Sequence, residues 1–304
     1  MVRKRLIIIL CLFLAVPSKD SVLVMFWNLE NYFDWKDDAP GIRNWTKRKF
    51  QRKSLAIAKT IFWISDVEGR LPDVIGLAEV ENRFVLERLL RDTPLHRAGY
   101  GIVHYDSPDP RGIDVALLYR KETLTLLEAK PLRVGGEEFR TRDILLAKFQ
   151  RESSDSLVFL VNHHPSKYGG STGERRKAAL DRLKDVTDSL LAEGNKDIIA
   201  MGDFNDTPES TKEYSTIMVN LALPLAKRGE GTIKYSGKWE LIDMFFISQR
   251  VASRNPGVAM KVVKAPFLTV KDNAHSGEKP LRTYTGPGYA GGVSDHCPIT
   301  LVIQ

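Results

Sequence analysis

The chain predicts a mixed α/β fold in which β-sheets pack on one another and helices cover their outer sides. Three observations carry this. Short apolar runs rich in β-branched residues recur along the chain, amphipathic helical stretches separate only some of them, and several runs follow in succession between about 100 and 163. A regular βαβ alternation would not leave strands in succession. At 304 residues, 43% hydrophobic and 27% charged, the chain can bury a sizeable core and lacks the composition of a disordered protein. No low-complexity linker and no internal repeat divides it, so it reads as one domain.

The N-terminus reads as a secretory signal. Arg3-Lys4-Arg5 is a positive n-region, Leu6 to Val16 an unbroken apolar run, and Pro17-Ser18 follows. The run is short of the roughly 20 apolar residues that span a bilayer. An uncleaved anchor and a buried N-terminal strand are the alternatives. Cys11 does not fit lipoprotein attachment, because Ile8-Ile9-Leu10 is too bulky. The expected division is a signal peptide over 1–18 and a catalytic domain over 19–304, exported to the periplasm or beyond the cell. No second apolar run is long enough to cross a membrane, and a monomer is expected. The formal net charge is +7, and without the three leader cations it is about +4, a mild excess that suits a polyanionic substrate without demanding one. Cys297 is the one cysteine beyond the leader. It excludes an intrachain disulfide and reads as a buried structural thiol.

The strand-like runs are Val22–Trp27, Val74–Leu77, Val115–Tyr119, Ile144–Phe149, Leu157–Val161, Ile198–Met201, Ile242–Ile247 and Pro298–Ile303. Between the first two, Thr46 caps a basic amphipathic helix with Phe50, Ile57, Ile61 and Ile64 near one face. A second helix over 174–192 places Ala179, Leu183, Val186 and Leu190 on one side.

Polar residues cluster where these strands end. Asn28 and Glu30 follow the first, Glu79 and Glu81 the second, and His163 and His164 the run ending at Val161. Asp203, Asn205 and Asp206 follow Met201, Asp243 opens the next strand, and Asp295-His296 precedes the last. Strand ends are where loops meet a rigid frame. Six such clusters, all acidic, amide or imidazole, point to one convergent metal and acid–base site.

Taken in order, Asn28-Leu29-Glu30-Asn31, Pro72 to Glu81, Arg111-Gly112-Ile113-Asp114-Val115-Ala116, Asn162-His163, Gly202-Asp203-Phe204-Asn205-Asp206, Leu241-Ile242-Asp243 and Ser294-Asp295-His296-Cys297-Pro298 resemble the endonuclease/exonuclease/phosphatase superfamily. That superfamily includes pancreatic-type deoxyribonucleases, neutral sphingomyelinases and inositol polyphosphate phosphatases. The matching segments span residues 24 to 303. The resemblance implies a four-layer sandwich, two packed mixed β-sheets flanked by helices, and hydrolysis of phosphate esters.

It also implies roles. Glu79 is the principal ligand of Mg²⁺ or Mn²⁺, a hard cation that takes oxygen donors and needs only one or two carboxylates, with Asp295 completing the shell and Asn28 beside it, touching metal or phosphate. His296 is a general base or a phosphate-contacting imidazolium, oriented by Asp243. Asp203 orients or deprotonates the attacking water. Asn205 holds the phosphate, and His163 donates to a phosphoryl oxygen. Arg111 borders the site. Apart from the resemblance, Tyr168, Arg175 and Arg176 lie in a Gly-rich segment after His163 that is expected to reach the substrate. The run Lys47-Arg48-Lys49, Arg52-Lys53 either meets phosphates or is a solvated helix face. The long segment before Ser294, with Arg282 and Tyr284, is expected to form a mobile flap. The resulting expectation is an exported nuclease acting on nucleic acid. A lipid or small-molecule phosphoesterase and a non-catalytic binding module of the same fold are the alternatives.

Overall fold

The computed structural model describes residues 21–36, 44–136, 139–152, 155–166 and 172–304. The expected signal peptide and Tyr168 to Ser171 lie outside the described residues.

Strands β1 (Val22–Tyr32), β2 (Val74–Val80), β3 (Tyr100–His104) and β4 (Asp114–Arg120) join Lys261–Val262 and Ile299–Ile303 in one six-stranded sheet. Its order is 261–262, 299–303, β1, β2, β4, β3. Strands β5 (Leu124–Leu132), β6 (Ile144–Arg151), β7 (Ser156–His163) and β8 (Ile198–Asp203), followed by Asp243–Ser248 and Met218–Asn220, form the second, also six-stranded. Both sheets are mixed and flanked by helices, the four-layer sandwich the resemblance implies. Each expected apolar run falls on a strand, with Ile242 and Pro298 just ahead of theirs, and several strands extend past the run into its polar end.

Side-chain alternation fixes the layering. Along β1, Val22, Val24 and Phe26 join the core shared with β6, β7 and β8. Leu23, Met25, Trp27 and Leu29 instead pack with Phe50, Ile57, Ile61 and Ile64 of α1 (Lys47–Glu68) and with α2 (Arg83–Asp92). Successive strand residues face opposite sides, so one strand serves both interfaces. The face Ala179, Leu183, Val186 and Leu190 of α3 (Thr172–Ala192) is buried against the second sheet. Thr46 caps α1 by accepting from the Lys49 amide, and Gly69, at φ 75°, ends it. The sheets approach closely at Gly76, where a Cβ would come within 2.8 Å of the Met201 side chain. Cys297 is buried, which pushes its thiol up to about 12, as a structural cysteine requires.

Strand direction brings the polar clusters to one rim. β1 and β2 are parallel and joined through α1; β7 and β8 are parallel and joined through α3. In each sheet an antiparallel strand follows, β4 beside β2 and Asp243–Ser248 beside β8. The ends of the parallel strands and the beginnings of the antiparallel ones therefore share an edge. Asp243 pairs with Asp203 there, and His163 also pairs with Asp203.

Candidate active site

The rim backbone is strained where the chemistry lies. Among the described residues six non-glycines have positive φ, and four of them are Glu30 (48°), Asn31 (55°), Glu79 (58°) and Asn205 (50°). Non-glycine residues rarely adopt this region, and it concentrates at functional sites. Register shifts between Asn28 and Tyr32, and between Ala78 and Val80, mark bulges in the same stretch. A cleft of about 470 Å³ opens here, with Glu30, Glu79, His163, Asp203, Asp295 and His296 among its walls.

One side is carboxylate-rich. Glu79 Oε2 accepts from the Asn31 amide at 2.8 Å, and Arg111 reaches Asn31 Oδ1 at 2.8 Å and Glu79 at 3.5 Å. Arg282 bridges Glu30 at 2.8 Å and Asp295 at 2.9 Å, while the Thr283 amide donates to the second Glu30 oxygen. Lys53, 2% exposed, donates to the Glu30 carbonyl at 2.6 Å and to Thr283 Oγ1 at 2.8 Å. Burial, then Asp295, raises the Glu30 pKa. Burial lowers Lys53 to about 8 against the pull of Glu30, Glu79 and Asp295. Three carboxylates, Glu30, Glu79 and Asp295, thus gather around Lys53 and Arg282, and their oxygens are the donor type a hard divalent cation takes. Among the described residues, the acidic and imidazole groups whose ligand atoms lie within 4.8 Å of one another are Asp203 with Asp243 and His296, and His104 with Asp106 and Asp114.

The facing side holds the imidazoles. His296 Nδ1 donates to Asp243 Oδ2 at 2.8 Å, and its Nε2 lies 3.7 Å from Asp203 and 3.8 Å from Asp295. Burial opposes the charged ring, but Asp243, with Asp203 and Asp295, raises the His296 pKa well above its ordinary value. Its loop is anchored to β1: Ser294 Oγ donates to the Asn28 carbonyl at 2.6 Å and accepts from the His296 amide, and Trp27 Nε1 donates to the His296 carbonyl. Asp203 accepts from Asn28 Nδ2 at 3.0 Å and from the Asn205 amide at 2.9 Å. Burial carries Asp203 up to about 7, with His296 opposing and Asp243 adding. The Gly202 before it has no room for a side chain, since a Cβ would stand 2.3 Å from the Asn162 carbonyl oxygen.

His163 and His164 point to opposite sides. His163 Nε2 faces the cleft, 3.9 Å from Glu79 and 3.7 Å from Asp203, and burial, then Arg142 and Arg111, holds its ring neutral. His164 packs edge-on against Phe204 behind it. Their carbonyls are clamped by buried Arg142, at 3.2 and 2.6 Å, and Arg142 is itself paired with Asp109 at 2.8 Å.

Glu79, His163, Asp203, Asn205, Asp295, His296 and Arg111 therefore line one cleft. Asp243 stands behind His296. Asn28 is buried one layer back, its Oδ1 accepting from the Glu30 amide and its Nδ2 given to Asp203. Asn205 spends one amide hydrogen on the His164 carbonyl. Arg175 is not among the cleft walls; it lies exposed on α3 over the Phe139 ring at 5.4 Å. In the basic run, Lys53 fits neither expectation, since it is buried under the site rather than solvated or on a phosphate track. The expected flap is pinned at its centre by Arg282 and Thr283 and folds into short hairpins, Thr269–Lys271 with Glu278–Pro280 and Tyr284–Thr285 with Gly288–Tyr289. Sequence reasoning gave Arg142 no place in the site, and Glu30 and Lys53, though named in the strand-end clusters and the basic run, no individual role there. Lys53 stands three residues after Phe50 and four before Ile57, on the apolar face of α1, and that spacing was the signal.

This layered architecture with its rim of acids and imidazoles is that of a phosphoesterase fold. Residues 23–304 match the Endonuclease/Exonuclease/phosphatase family, and the chain belongs to it. No curated protein matches it by sequence comparison. Among solved structures, the human Nocturnin catalytic domain is 18% identical over 94% of each chain, with a TM-score of 0.61. A mannosyl-6-phosphatase of Bacteroides thetaiotaomicron is 17% identical over 93% of this chain and 99% of the other, with a TM-score of 0.62. TDP2 of D. rerio, complexed with a single-strand DNA product, is 14% identical over 93% and 99%, with a TM-score of 0.59. At such identities they share the fold.

Proposed function

We propose that the chain is an exported, divalent-metal-dependent phosphodiesterase whose substrate is nucleic acid. One observation carries the reaction class. A carboxylate cluster and an aspartate-supported imidazolium face each other across one cleft, with a buried aspartate between them. Mg²⁺ or Mn²⁺ would be held by Glu79 and Asp295, with Glu30 adjoining, and when bound supplies charge neutralisation at the phosphoryl oxygens. Asp203, fixed by Asn28 and Asn205, takes the proton of the attacking water. His296, kept charged by Asp243, contacts the phosphoryl oxygens as an imidazolium; of its two expected roles this one suits its raised pKa. Neutral His163 donates from Nε2 to the same group. Asn28 acts through Asp203 rather than on the substrate, and Arg111 borders the phosphate.

Nucleic acid is favoured by the family and by the DNA product bound to TDP2. The mannosyl-6-phosphatase neighbour, with Arg111, Lys279 and Arg282 in the cleft walls here, favours a phosphomonoesterase as the second reading. Plasmid DNA, RNA, bis-p-nitrophenyl phosphate, sphingomyelin and sugar phosphates assayed side by side with Mg²⁺ separate them. Cleavage of DNA or RNA is expected, and turnover of monoesters alone would overturn the diester reading. For export, N-terminal sequencing of the expressed protein should find residues 1–18 removed, and an intact cytosolic chain would reject it.

A further inference from the structure

Behind the catalytic strand ends lies a second cavity of about 210 Å³, bordered by His164, Arg176, Lys177, Phe204, Asp206 and the Gly173 turn at the start of α3. Because His164 follows His163 on an extended segment, it faces this cavity while His163 faces the cleft. A cavity of this size holds several waters, at about 30 Å³ each, or one phosphate-sized group.

Its hydrogen bonding is unbalanced. The acceptors are engaged: Asp206 takes the Arg176 Nε at 3.3 Å and the Thr207 amide at 2.9 Å, and Glu213 takes Lys177 at 3.5 Å. Thr211 accepts from Asn220, and Ser210 is joined to Thr207. Two buried nitrogens remain without partners, His164 Nε2 and Arg176 Nη1, and His164 is only 3% exposed. A buried guanidinium N–H left unpaired is costly, and a neutral imidazole nitrogen can present its proton to the same ligand, so the arrangement suits a group that brings acceptors. The 21-residue α3 begins at the same place, and a helix start carries a partial positive charge. Arg176 pairs with Asp206, and Lys177 is shared between Asp181 and Glu213 at the exposed mouth, so the unpaired Arg176 Nη1 and His164 Nε2 are the groups left to meet a ligand.

We propose that this cavity is an accessory binding site for a phosphate-sized oxyanion, held by His164 Nε2, Arg176 Nη1 and the first turn of α3. An oxyanion selects the neutral ring tautomer with its proton on Nε2. The site shares its wall with the catalytic cleft, because Asn205 donates to the His164 carbonyl at 2.9 Å. It does not depend on the substrate assigned to that cleft.

Inorganic phosphate titrated calorimetrically into the full protein, without divalent ions, tests it. Binding should weaken at least tenfold in Arg176→Gln and in His164→Phe, and persist in His163→Ala, which alters only the cleft. Melting curves establish that each variant is folded, and Arg176→Gln, on a part-exposed helix face, serves if His164→Phe is not. Sulfate density in the cavity of a crystal grown in sulfate would agree. Absence of binding in the wild type, or binding lost in His163→Ala and kept in Arg176→Gln, overturns the proposal.

Discussion

The two sheets are built alike and equipped differently. Each carries a parallel pair joined by a long helix, β1–α1–β2 in one and β7–α3–β8 in the other. Each continues into an antiparallel strand that opens on a buried aspartate, Asp114 or Asp243, and each aspartate holds a histidine. Asp243 meets His296 at 2.8 Å, and Asp114 meets His104 at 3.1 Å. Yet of His104 and His296 it is His296 that lines the cleft. The first sheet supplies Glu30 and Glu79 to the carboxylate side, and the second supplies His163 and Asp203. A repeated frame thus places groups at equivalent points, and the loops decide which become chemistry. In the proposed function the carboxylate side handles the cation and the second side handles protons.

The largest effect should come from the carboxylate side. Chelation should abolish turnover, and Mg²⁺ or Mn²⁺ should restore it. Glu79→Gln should raise the metal concentration needed for half activity while leaving the fold intact, read by titrating Mg²⁺ against rate. Full activity after exhaustive metal removal would falsify the assignment of the cation to this side.

On the proton side, Asp243 and His296 should act as one unit. A charged donor aimed at developing charge is worth roughly 10²–10³ in turnover, so His296→Ala and Asp243→Asn should each lose on that scale. The double variant should be little worse than His296→Ala alone, because coupled groups are not additive. Losses that multiply would separate the two residues.

Next is His163, neutral and aimed at the cleft. Removing a donor to developing charge costs roughly 10²–10³ in turnover, which is the loss expected of His163→Ala. His164→Ala, facing the other cavity, should lose under about tenfold on the same scale. The reverse ranking would mean that the strand register at this end is shifted by one.

Much of this was legible because it lies in short contiguous motifs at strand ends. Gly202-Asp203-Phe204-Asn205 and Ser294-Asp295-His296 have local reasons to be read: a glycine with no room for a Cβ, and a serine that ties its loop to β1. What was hidden depends on partners far along the chain. Lys53 is set by Glu30 and Thr283, the latter 230 positions away, and its neighbours Lys47 to Arg52 disguise it as one more surface cation. Arg142 touches His163 and His164 only through their carbonyls, which no residue pattern encodes. The likeness of the sheets was invisible for a similar reason. Parallel pairing constrains alternation and length, and leaves side-chain identity free, so the architecture repeats without a repeated sequence.

The pH profile sharpens the contrast within the proton side. Asp203, carried up to about 7 by burial, must be ionised to accept a proton. Below that value it is protonated, so kcat should fall about tenfold per pH unit as pH drops, the behaviour of one essential base. Asp203→Asn should show a low rate without that limb. A rate that stays flat from pH 7 to 5 in the wild type would remove Asp203 from the proton path.

The smallest effect on turnover should come from Asp114, which makes it the most informative control on the comparison. Asp114 matches Asp243 in position, burial and histidine partner, but it holds structure: Oδ1 accepts from the Ser107 amide at 2.8 Å and Oδ2 meets His104. Replacing it by asparagine strands buried partners, which costs about 1–3 kcal/mol of stability, but touches no group in the cleft. Asp114→Asn should therefore lower the urea midpoint and leave kcat within a few-fold, while Asp243→Asn loses mainly activity. Paired urea melts and rate measurements on both variants read this directly. If Asp114→Asn costs as much turnover as Asp243→Asn, the two sheets share the chemistry, and position in the repeated frame, rather than access to the cleft, sets the role of each aspartate.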